Sequence, residues 1–499
     1  MNGALMRASS RFAIAAALGL VVGVGSVRAA DLGGNCCADL EERIAELEAT
    51  TARKGNRKMS LTITGQVHRD IIWYDDGKSS TTYYGLDSTN SSSRFIFNGS
   101  AKVTPKVSMG FEIMIEIEAG GTSSKVSQFD EDGKVGGQIS GSAAPANSFN
   151  AGNVDPYFGD ARRVAWWMEH ADLGRITVGR WETAGVLGTI DLTGHIFLPA
   201  SSSFSLLNGG FFLRGSTGQY YAITWANILD PAANNPARTE GVRYDSPSWH
   251  GFIYSASINE AGDYWGTMLR YANEFSGFRV AGTVGYENIR DRSTPATIDP
   301  TAAFWTGIAP DITATGFALS AMHVPTGLFL QGHWNHVDYN TPNHVTSGYW
   351  NDGGGATQKD SYQWLIQGGI SKNWFGYGNT TLYAEYGQAT DWGASEAGRN
   401  FVGTTSTTTC PGPNATCSAA IANFIGVNGV VGTDVSVWGL GIVQKFDAAA
   451  TDLYVGYRHF DPEITCNTAN CGSAATGATN GHLPVQGIDV IAGGARVQF

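Results

Sequence analysis

The sequence predicts an all-β protein, a 16-stranded antiparallel transmembrane β-barrel preceded by a short N-terminal coiled-coil helix. Three observations predict the barrel. Apolar and polar residues alternate with a period of two over segments of about ten residues or more, whereas ordinary strands average about five or six. The connections between these segments alternate between short and long. The composition includes 65 glycines and only 15% charged residues, which argues against a coiled coil or a charged disordered chain.

The N-terminus has the pattern of a secretory signal peptide. Two arginines precede an uncharged run of 16 residues, 12–27, and Arg28-Ala29-Ala30 follows it. Because a spanning helix needs about 20 apolar residues, a membrane anchor is the weaker alternative. We expect residues 1–30 to be a signal peptide that is cleaved after Ala29 or Ala30.

Residues 31–58 are expected to form a periplasmic coiled-coil segment and a basic linker. So short a coil needs partner chains or a docking surface, and a solvated helical spacer is an equal alternative. The basic run 53–58 is interpreted as a solvated linker. The apolar positions of the coil recur at alternating spacings of three and four, and they are Cys37, Leu40, Ile44, Leu47 and Thr51.

The barrel is expected to occupy residues 59–499. In its first segment Leu61 and Ile63 share one face, whereas Gln66 and His68 share the other. One face of each strand would contact lipid and the other water. The predicted strands are 60–74, 93–104, 107–118, 160–170, 175–181, 239–246, 251–259, 265–273, 278–287, 313–323, 328–338, 361–372, 379–389, 434–446, 451–461 and 486–499.

Short turns and long loops alternate between these strands. Pro105-Lys106 and 247–250 are short turns, whereas 119–159 and 182–238 are long and rich in small polar residues. This asymmetry is typical of outer-membrane barrels, and an even strand number places both barrel ends on the side of the short turns. The apolar segment 219–226 is assigned to the loop 182–238. Only a closed barrel satisfies every backbone group in lipid.

The chain ends in Phe499, and Ile491, Ala495 and Val497 lie on its face of the last strand. A terminal aromatic residue on an apolar face is typical of barrel-assembly signals. The barrel-assembly machinery is therefore an expected partner through Phe499.

Two cysteine pairs lie in loops rich in glycine, serine and threonine. Cys410 with Cys417, and Cys466 with Cys471, could each close a small local disulfide in an oxidising exterior. Metal binding is the alternative, but neither stretch has the spacing of a zinc site. We therefore expect no metal.

Several segments of the sequence resemble the general bacterial porins, and in particular their alphaproteobacterial relatives. The segments follow one another in the family's order over most of residues 31–499, and this order makes the resemblance specific. The similar segments are Ser93–Gly99, Arg163–Ala165, Ala171–Arg180, Gly241–Pro247 followed by Gly251-Phe252, Arg496–Phe499 and the N-terminal Cys36–Arg43.

The resemblance implies a homotrimer in the cell outer membrane, in contact with lipid and lipopolysaccharide. Each barrel would hold a water-filled channel for the passive diffusion of small hydrophilic solutes and ions. The third long loop, 182–238, would fold inward, and its carboxylates would face arginines on the wall. Two alternatives remain open. The chain could be a structural protein that tethers the envelope to the cell wall through its N-terminal coil, or it could be a substrate-specific channel.

The resemblance and the alternation together select the candidate charged residues. Arg94 and Arg163 fit the family's wall arginines on the second and fourth strands. Arg162 aligns almost as well as Arg163, but alternation favours Arg163 because Val164 then faces lipid. The candidate constriction residues are Arg94, Arg163, Arg180, Arg238, Glu182 and Asp191. The candidate lumen residues are Lys102, Glu112, Glu116, Arg270 and Arg279.

The expected chemistry is that of a charged filter, so no catalytic residue and no cofactor is predicted. A hydrolase built from Asp191, His195 and Ser201 is the enzymatic alternative, but the sequence has no nucleophile elbow. His333 and His336 would point to opposite faces of one strand and could not share a metal. Aromatic residues near strand ends are interpreted as interfacial girdles, with a sugar-stacking ladder as the alternative. The formal net charge of −12 makes nucleic acid an unexpected partner.

Overall fold

The computed structural model describes residues 59–117, 121–129, 161–229, 238–259, 262, 264–290, 311–339, 360–392, 399–401 and 424–499. The predicted signal peptide, the predicted coil and linker, Cys410 and Cys417 lie outside these residues. Within the described part of the chain, no helix has the length and apolarity to cross a membrane.

Sixteen long antiparallel strands form a closed barrel, and each corresponds to a predicted strand. The fold class is therefore confirmed. The wall strands are β1 (Ser60–Asp75), β2 (Arg94–Thr104), β3 (Val107–Glu116), β4 (Ala161–His170), β5 (Gly174–Glu182), β6 (Arg238–Asp245), β7 (Phe252–Asn259), β8 (Tyr264–Phe275), β9 (Phe278–Arg290), β10 (Asp311–His323), β11 (Leu328–Tyr339), β12 (Asp360–Lys372), β13 (Thr380–Thr390), β14 (Val427–Phe446), β15 (Thr451–Cys466) and β16 (Ile488–Gln498).

The barrel closes where the first and last strands meet. The first part of β1 pairs with β2, ending at Gln66 opposite Arg94, and from Gln66 onward β1 pairs with β16. Phe499 continues this ladder, because its N–H donates to the carbonyl of Gly65 at 3.0 Å and its carbonyl accepts from the N–H of Gly65 at 2.9 Å. A Cβ at Gly65 would lie 2.5 Å from the Phe499 ring, so this contact requires glycine. Closure leaves the wall without an unpaired edge.

The outer face of the wall is apolar, as the alternation predicts. Val164, Trp166 and Met168 are all exposed on β4, and the same holds at alternate positions of the other strands. Outward aromatic residues on neighbouring strands contact each other, with ring centroids 5.2 Å apart for Trp265 and Tyr286. An apolar surface with paired aromatic residues is what a lipid-facing wall requires.

The loop after β5 folds into the barrel. Residues 183–229 contain the strands Phe212–Arg214 and Tyr220–Thr224 and the four-residue helix Ala226–Leu229. The segment assigned to this loop by its sequence thus forms a strand inside it, which pairs with Phe212–Arg214 and with Phe424–Ile425. The remaining short elements are the strands Ser80–Asp87, Arg399–Phe401 and His482–Leu483, and the 3-10 turns Phe204–Leu206, Asp447–Ala449 and Ala474–Thr476.

A hydrophobic core lies inside the barrel, between this loop and one side of the wall. The alternation predicts a wet lumen face on every strand, but on β12–β16 much of that face is apolar and buried. We call the lumen-facing side of β12–β16 the apolar sector. Its core residues include Leu365, Val435, Val437, Phe460 and Val490, and the loop contributes Phe204, Leu207, Phe211, Leu213, Trp225 and Ile228.

Candidate pore constriction

Charged side chains concentrate on the opposite side of the lumen, on β2–β6. We call the lumen-facing side of these strands the arginine sector. Cross-strand register assembles it, since Arg94 on β2 lies opposite Glu116 on β3, and Asn98 lies opposite Glu112. Four of the six predicted constriction residues, Arg94, Arg163, Glu182 and Arg238, lie in this sector.

Arg163 is the centre of an ion-pair network that spans four strands, β3–β6. Its Nη1 lies 2.9 Å from Glu112 Oε1 on β3, and its Nε donates to Glu182 Oε1 at 2.7 Å. Arg238 on β6 donates from Nε to the same Glu182 oxygen at 3.2 Å. Glu182 is the last residue of β5, where the chain leaves the wall to form the inward loop. The network therefore holds the start of the loop against the wall.

Both Arg162 and Arg163 belong to the site, although alternation forced a choice between them. The pairing of β3 with β4 is shifted between Met114, which lies opposite Arg163, and Ile115, which lies opposite Ala161. Arg162 is the extra residue of this β-bulge, and a bulge turns a side chain away from strict alternation. Arg162 pairs with Glu116, which also accepts from the Ser92 hydroxyl.

Arg180 was predicted in the constriction, and this prediction was wrong. It lies opposite Val164 on β4 and opposite Glu240 on β6, and Val164 is an exposed residue of the outer face. Its Nη1 is 3.7 Å from Glu240, whose side chain is 70% exposed. Alternation already places Arg180 with Ile176 on the apolar face, so its position just before the loop misled the prediction.

Asp191 was also predicted to face the arginines, and it does not. Its Oδ1 accepts from the N–H of Thr193 at 2.8 Å and its Oδ2 from the N–H of Phe197 at 3.1 Å. The N–H of Leu192, next to Asp191, donates a hydrogen bond to Gln331 Oε1 on β11, on the far side of the barrel. A carboxylate that caps its own loop backbone is already satisfied. The carboxylates that meet the arginines come from the wall strands, and Glu182 among them is the last residue of β5.

The predicted lumen residues all lie on the lumen face, at different heights. Glu112 and Glu116 join the network described above. Arg270 on β8 pairs with Asp245 at 2.6 Å. Lys102 and Arg279 lie near the short turns, and Arg279 pairs with Glu274 at 3.2 Å on a half-exposed site.

Several lumen residues of the arginine sector were missed by the sequence reasoning, among them Arg243, Arg175 and Trp181. Arg243 donates to the carbonyls of Glu182 and Thr183 at 3.1 and 3.2 Å, and it pairs with Asp245. Arg175 and Trp181 share the lumen face of β5 with Thr177. Period-two counting against the outward Ile176 would have found Arg175.

The arginine sector carries more cationic than anionic groups. Each carboxylate of the network, Glu112, Glu116, Glu182 and Asp245, already has at least one arginine partner. Among the described residues, Arg94 and Arg175 have no carboxylate within ion-pair distance; Arg94 donates instead to the carbonyl of Ser92 at 2.9 Å. A surplus of fixed positive charge in a narrow lumen attracts anions and repels cations.

The far wall holds the loop with uncharged donors and with the arginines of two buried ion pairs, Arg458–Glu385 and Arg496–Asp452. Gln363 and Gln367 donate to the carbonyls of Ser202 and Ala200, each at 2.7 Å. Arg458 Nη2 donates to the carbonyl of Ser201 at 2.6 Å. These contacts satisfy the loop backbone and keep residues 200–202 against the apolar sector.

The described cysteines of the predicted disulfides and the histidines considered as site residues lie outside the arginine sector. Cys466 and Cys471 form a disulfide at the end of β15. His195 is buried and bonds Thr381 through Nε2 at 2.7 Å, and burial lowers the pKa of His195. His333 bonds Thr189 of the loop at 2.7 Å, whereas His336 stacks on Tyr362. Within the described ranges, no group of three or more His, Cys, Asp or Glu side chains could hold a metal ion.

The sequence of this chain matches a known protein family. A family model described as Gram-negative porin matches residues 15–464. No curated protein matches the chain.

Three solved structures are similar to this chain at low sequence identity and with TM-scores below 0.5. Outer-membrane expressed OmpT of Vibrio cholerae is 11% identical with a TM-score of 0.44, and the match covers 89% of this chain and 99% of that one. OmpF of Salmonella typhi in complex with daunomycin is 12% identical with a TM-score of 0.43, over 89% and 98% of the two chains. The outer membrane channel DcaP of Acinetobacter baumannii is 12% identical with a TM-score of 0.41, over 90% and 99%.

Proposed function

This chain belongs to the family of Gram-negative porins, and we propose that the arginine sector is the filter of its channel. The protein is an outer-membrane porin that forms a channel for passive diffusion. What the proposal adds is the location of the filter and the sign of its preference. The observation that supports the proposal is the surplus of arginines over carboxylates in the arginine sector.

The proposed filter works by an uneven field across the lumen. The arginine sector faces a loop that packs on an apolar core, and the charged groups that bond this loop from the far wall belong to buried ion pairs, so the field across the lumen is uneven. The low-dielectric wall and loop focus that field into the water between them. Small anions would be concentrated there, cations would be depleted, and apolar solutes would lose hydration without compensation. Passage needs no catalytic group.

The test is planar-bilayer recording of the full-length protein with KCl at unequal concentrations on the two sides. We expect discrete conductance steps and a reversal potential of the sign given by chloride preference. Absence of discrete steps would refute a channel. Steps with a cation-selective reversal potential would leave the channel standing and refute the arginine filter.

We also propose that the protein is a channel and not an enzyme. In support, the groups of the hydrolase alternative are engaged elsewhere: His195 bonds Thr381, and Asp191 caps its own loop. A homotrimer is part of the proposal because the chain belongs to this family, and conductance steps that occur in threes would support it. Contacts with lipopolysaccharide, with the barrel-assembly machinery and with the cell wall remain predictions.

The division of the N-terminal region likewise remains a prediction. We propose that residues 1–30 are a signal peptide and that residues 31–58 form a coil and linker. N-terminal sequencing of the mature protein would give a first residue at position 30 or 31. A mature chain that starts at Met1 would contradict the proposal.

A further inference from the structure

Arginine and tryptophan side chains alternate along the lumen face of the arginine sector. The guanidinium carbon of Arg175 lies 4.6 Å from the ring centroid of Trp167 and 5.6 Å from that of Trp181. The guanidinium carbon of Arg163 lies 4.7 Å from the Trp181 ring. The order is therefore Trp167, Arg175, Trp181 and Arg163, which we call the Arg–Trp ladder. All four side chains are partly exposed.

Small residues beneath the ladder allow it to form. Arg175 and Trp181 are six positions apart on β5, and between them on the same face stand only Thr177 and Gly179. Gly179 has φ of +127°, and a Cβ there would lie 2.3 Å from the carbonyl of Val164. Gly110 on β3 lies beneath Trp167, where a Cβ would be 2.4 Å from the indole. The Trp167 indole therefore lies directly on the wall at Gly110, and the positive φ of Gly179 favours glycine there.

The central arginine of the ladder has unused hydrogen-bonding capacity. Arg175 donates from Nε to the hydroxyl of Thr177 at 3.2 Å, and among the described residues no carboxylate lies within ion-pair distance of it. The guanidinium lies over the faces of the two neighbouring indoles, and its Nη groups have no hydrogen-bond partner among the described residues. A guanidinium edge binds a carboxylate in a bidentate manner. An aromatic ring attached to that carboxylate would lie against indole surface.

We propose that the Arg–Trp ladder is a binding site for aromatic carboxylates in transit through the channel. This inference rests on the proposed function, since it needs solutes to enter the lumen. The carboxylate binds the edge of Arg175, and the ring stacks beside Trp167 or Trp181. The surplus of positive charge supplies attraction for any anion, whereas the indoles distinguish an aromatic anion from an aliphatic one.

The test uses the reconstituted full-length protein and the block of chloride current by added carboxylates. Benzoate, cyclohexanecarboxylate and acetate carry the same charge, and the first two have nearly the same size. We expect benzoate to block at concentrations about three- to tenfold lower than cyclohexanecarboxylate, the range that one or two aromatic contacts provide. Acetate should block least. Equal block by benzoate and cyclohexanecarboxylate would overturn the proposal.

Adjacent residues on the two faces of the wall supply matched controls. Trp181→Leu and Arg175→Gln should each remove most of the preference for benzoate. Trp166→Leu and Arg180→Gln change the same residue types on the outer face and should leave it unchanged. If the outward variants lose the preference equally, the ladder is not the site. Absence of any conductance would instead refute the channel, so the two failures are distinguishable.

Discussion

The arginine sector and the apolar sector are built from the same kind of strand, yet one presents charged side chains to the lumen and the other is covered by the inward loop. On β2–β6 the lumen face carries partly exposed arginines, carboxylates and indoles. On β12–β16 it is covered by the inward loop, and Arg458 and Glu385 pair there with side chains that are 1% and 0% exposed. Solvent access separates the two sectors. Charge left in contact with water can act on solutes, whereas charge under the loop serves to hold the loop.

The largest expected effect on stability comes from a change at the buried Arg458–Glu385 ion pair of the apolar sector. Arg458→Met leaves Glu385 buried without a cation partner, which should cost about 3–5 kcal/mol in the free energy of unfolding. The midpoint of denaturant unfolding of the detergent-solubilised barrel measures it. The double variant Arg458→Met with Glu385→Leu should recover much of the loss, because no charge is then buried. A single variant as stable as the double would contradict this role for the pair.

A second test compares two neighbouring apolar residues of β12. Leu365 is fully buried beneath the loop, whereas Ile366 is exposed on the outer face. Leu365→Ala should lower the free energy of unfolding by about 3 kcal/mol, because it removes core contacts and leaves a cavity. Ile366→Ala is the control and should cost clearly less in the same unfolding measurement. Equal losses would mean that the loop is not packed on the wall as described.

The buried side chain of His195 in the loop should make the stability of the folded barrel depend on pH. Burial lowers the pKa of His195, and the charges of Asp191 and Asp452 oppose this only in part. The unfolded chain, with an ordinary pKa of about 6.5, then binds more protons than the folded one, so stability falls as the pH drops below about 6.5. The expected loss is about 1 kcal/mol per pH unit. Unfolding midpoints at pH 7.5 and 5.5 measure it, and His195→Gln should flatten the difference.

The smallest expected effect lies in the arginine sector. Arg94→Ala removes one unpaired cation from the lumen and should shift the permeability ratio towards cations by roughly twofold at low salt, with little change in stability. The shift should fade in concentrated KCl because of screening. Arg180→Ala on the outer face is the control. An equal shift in both variants would show that Arg94 does not line the path of the ions.

Much of the fold could be predicted because strand alternation is local. Each of the sixteen strands and the outward position of Val164 and Trp166 follow from a period of two. The resemblance to the porins added Arg94, Arg163 and Arg238 as wall residues and Glu182 as a carboxylate of the loop; the structure places Glu182 at the end of β5. Where the position of Arg180 before the loop was preferred over alternation, the prediction failed.

What the sequence alone determined is which residues form strands, which face of each strand meets lipid, and that the strands close into a barrel. Only the tertiary structure decided what covers the lumen face. The bulge that admits Arg162 beside Arg163 depends on the register of two strands, and the burial of Leu365 depends on the path of a loop that is distant in sequence. The Arg–Trp ladder depends on Arg175 of β5 meeting Trp167 of the neighbouring strand β4. Such contacts arise between segments whose patterns are separately unremarkable, so they can be seen only once the strands are paired and the loop is in place.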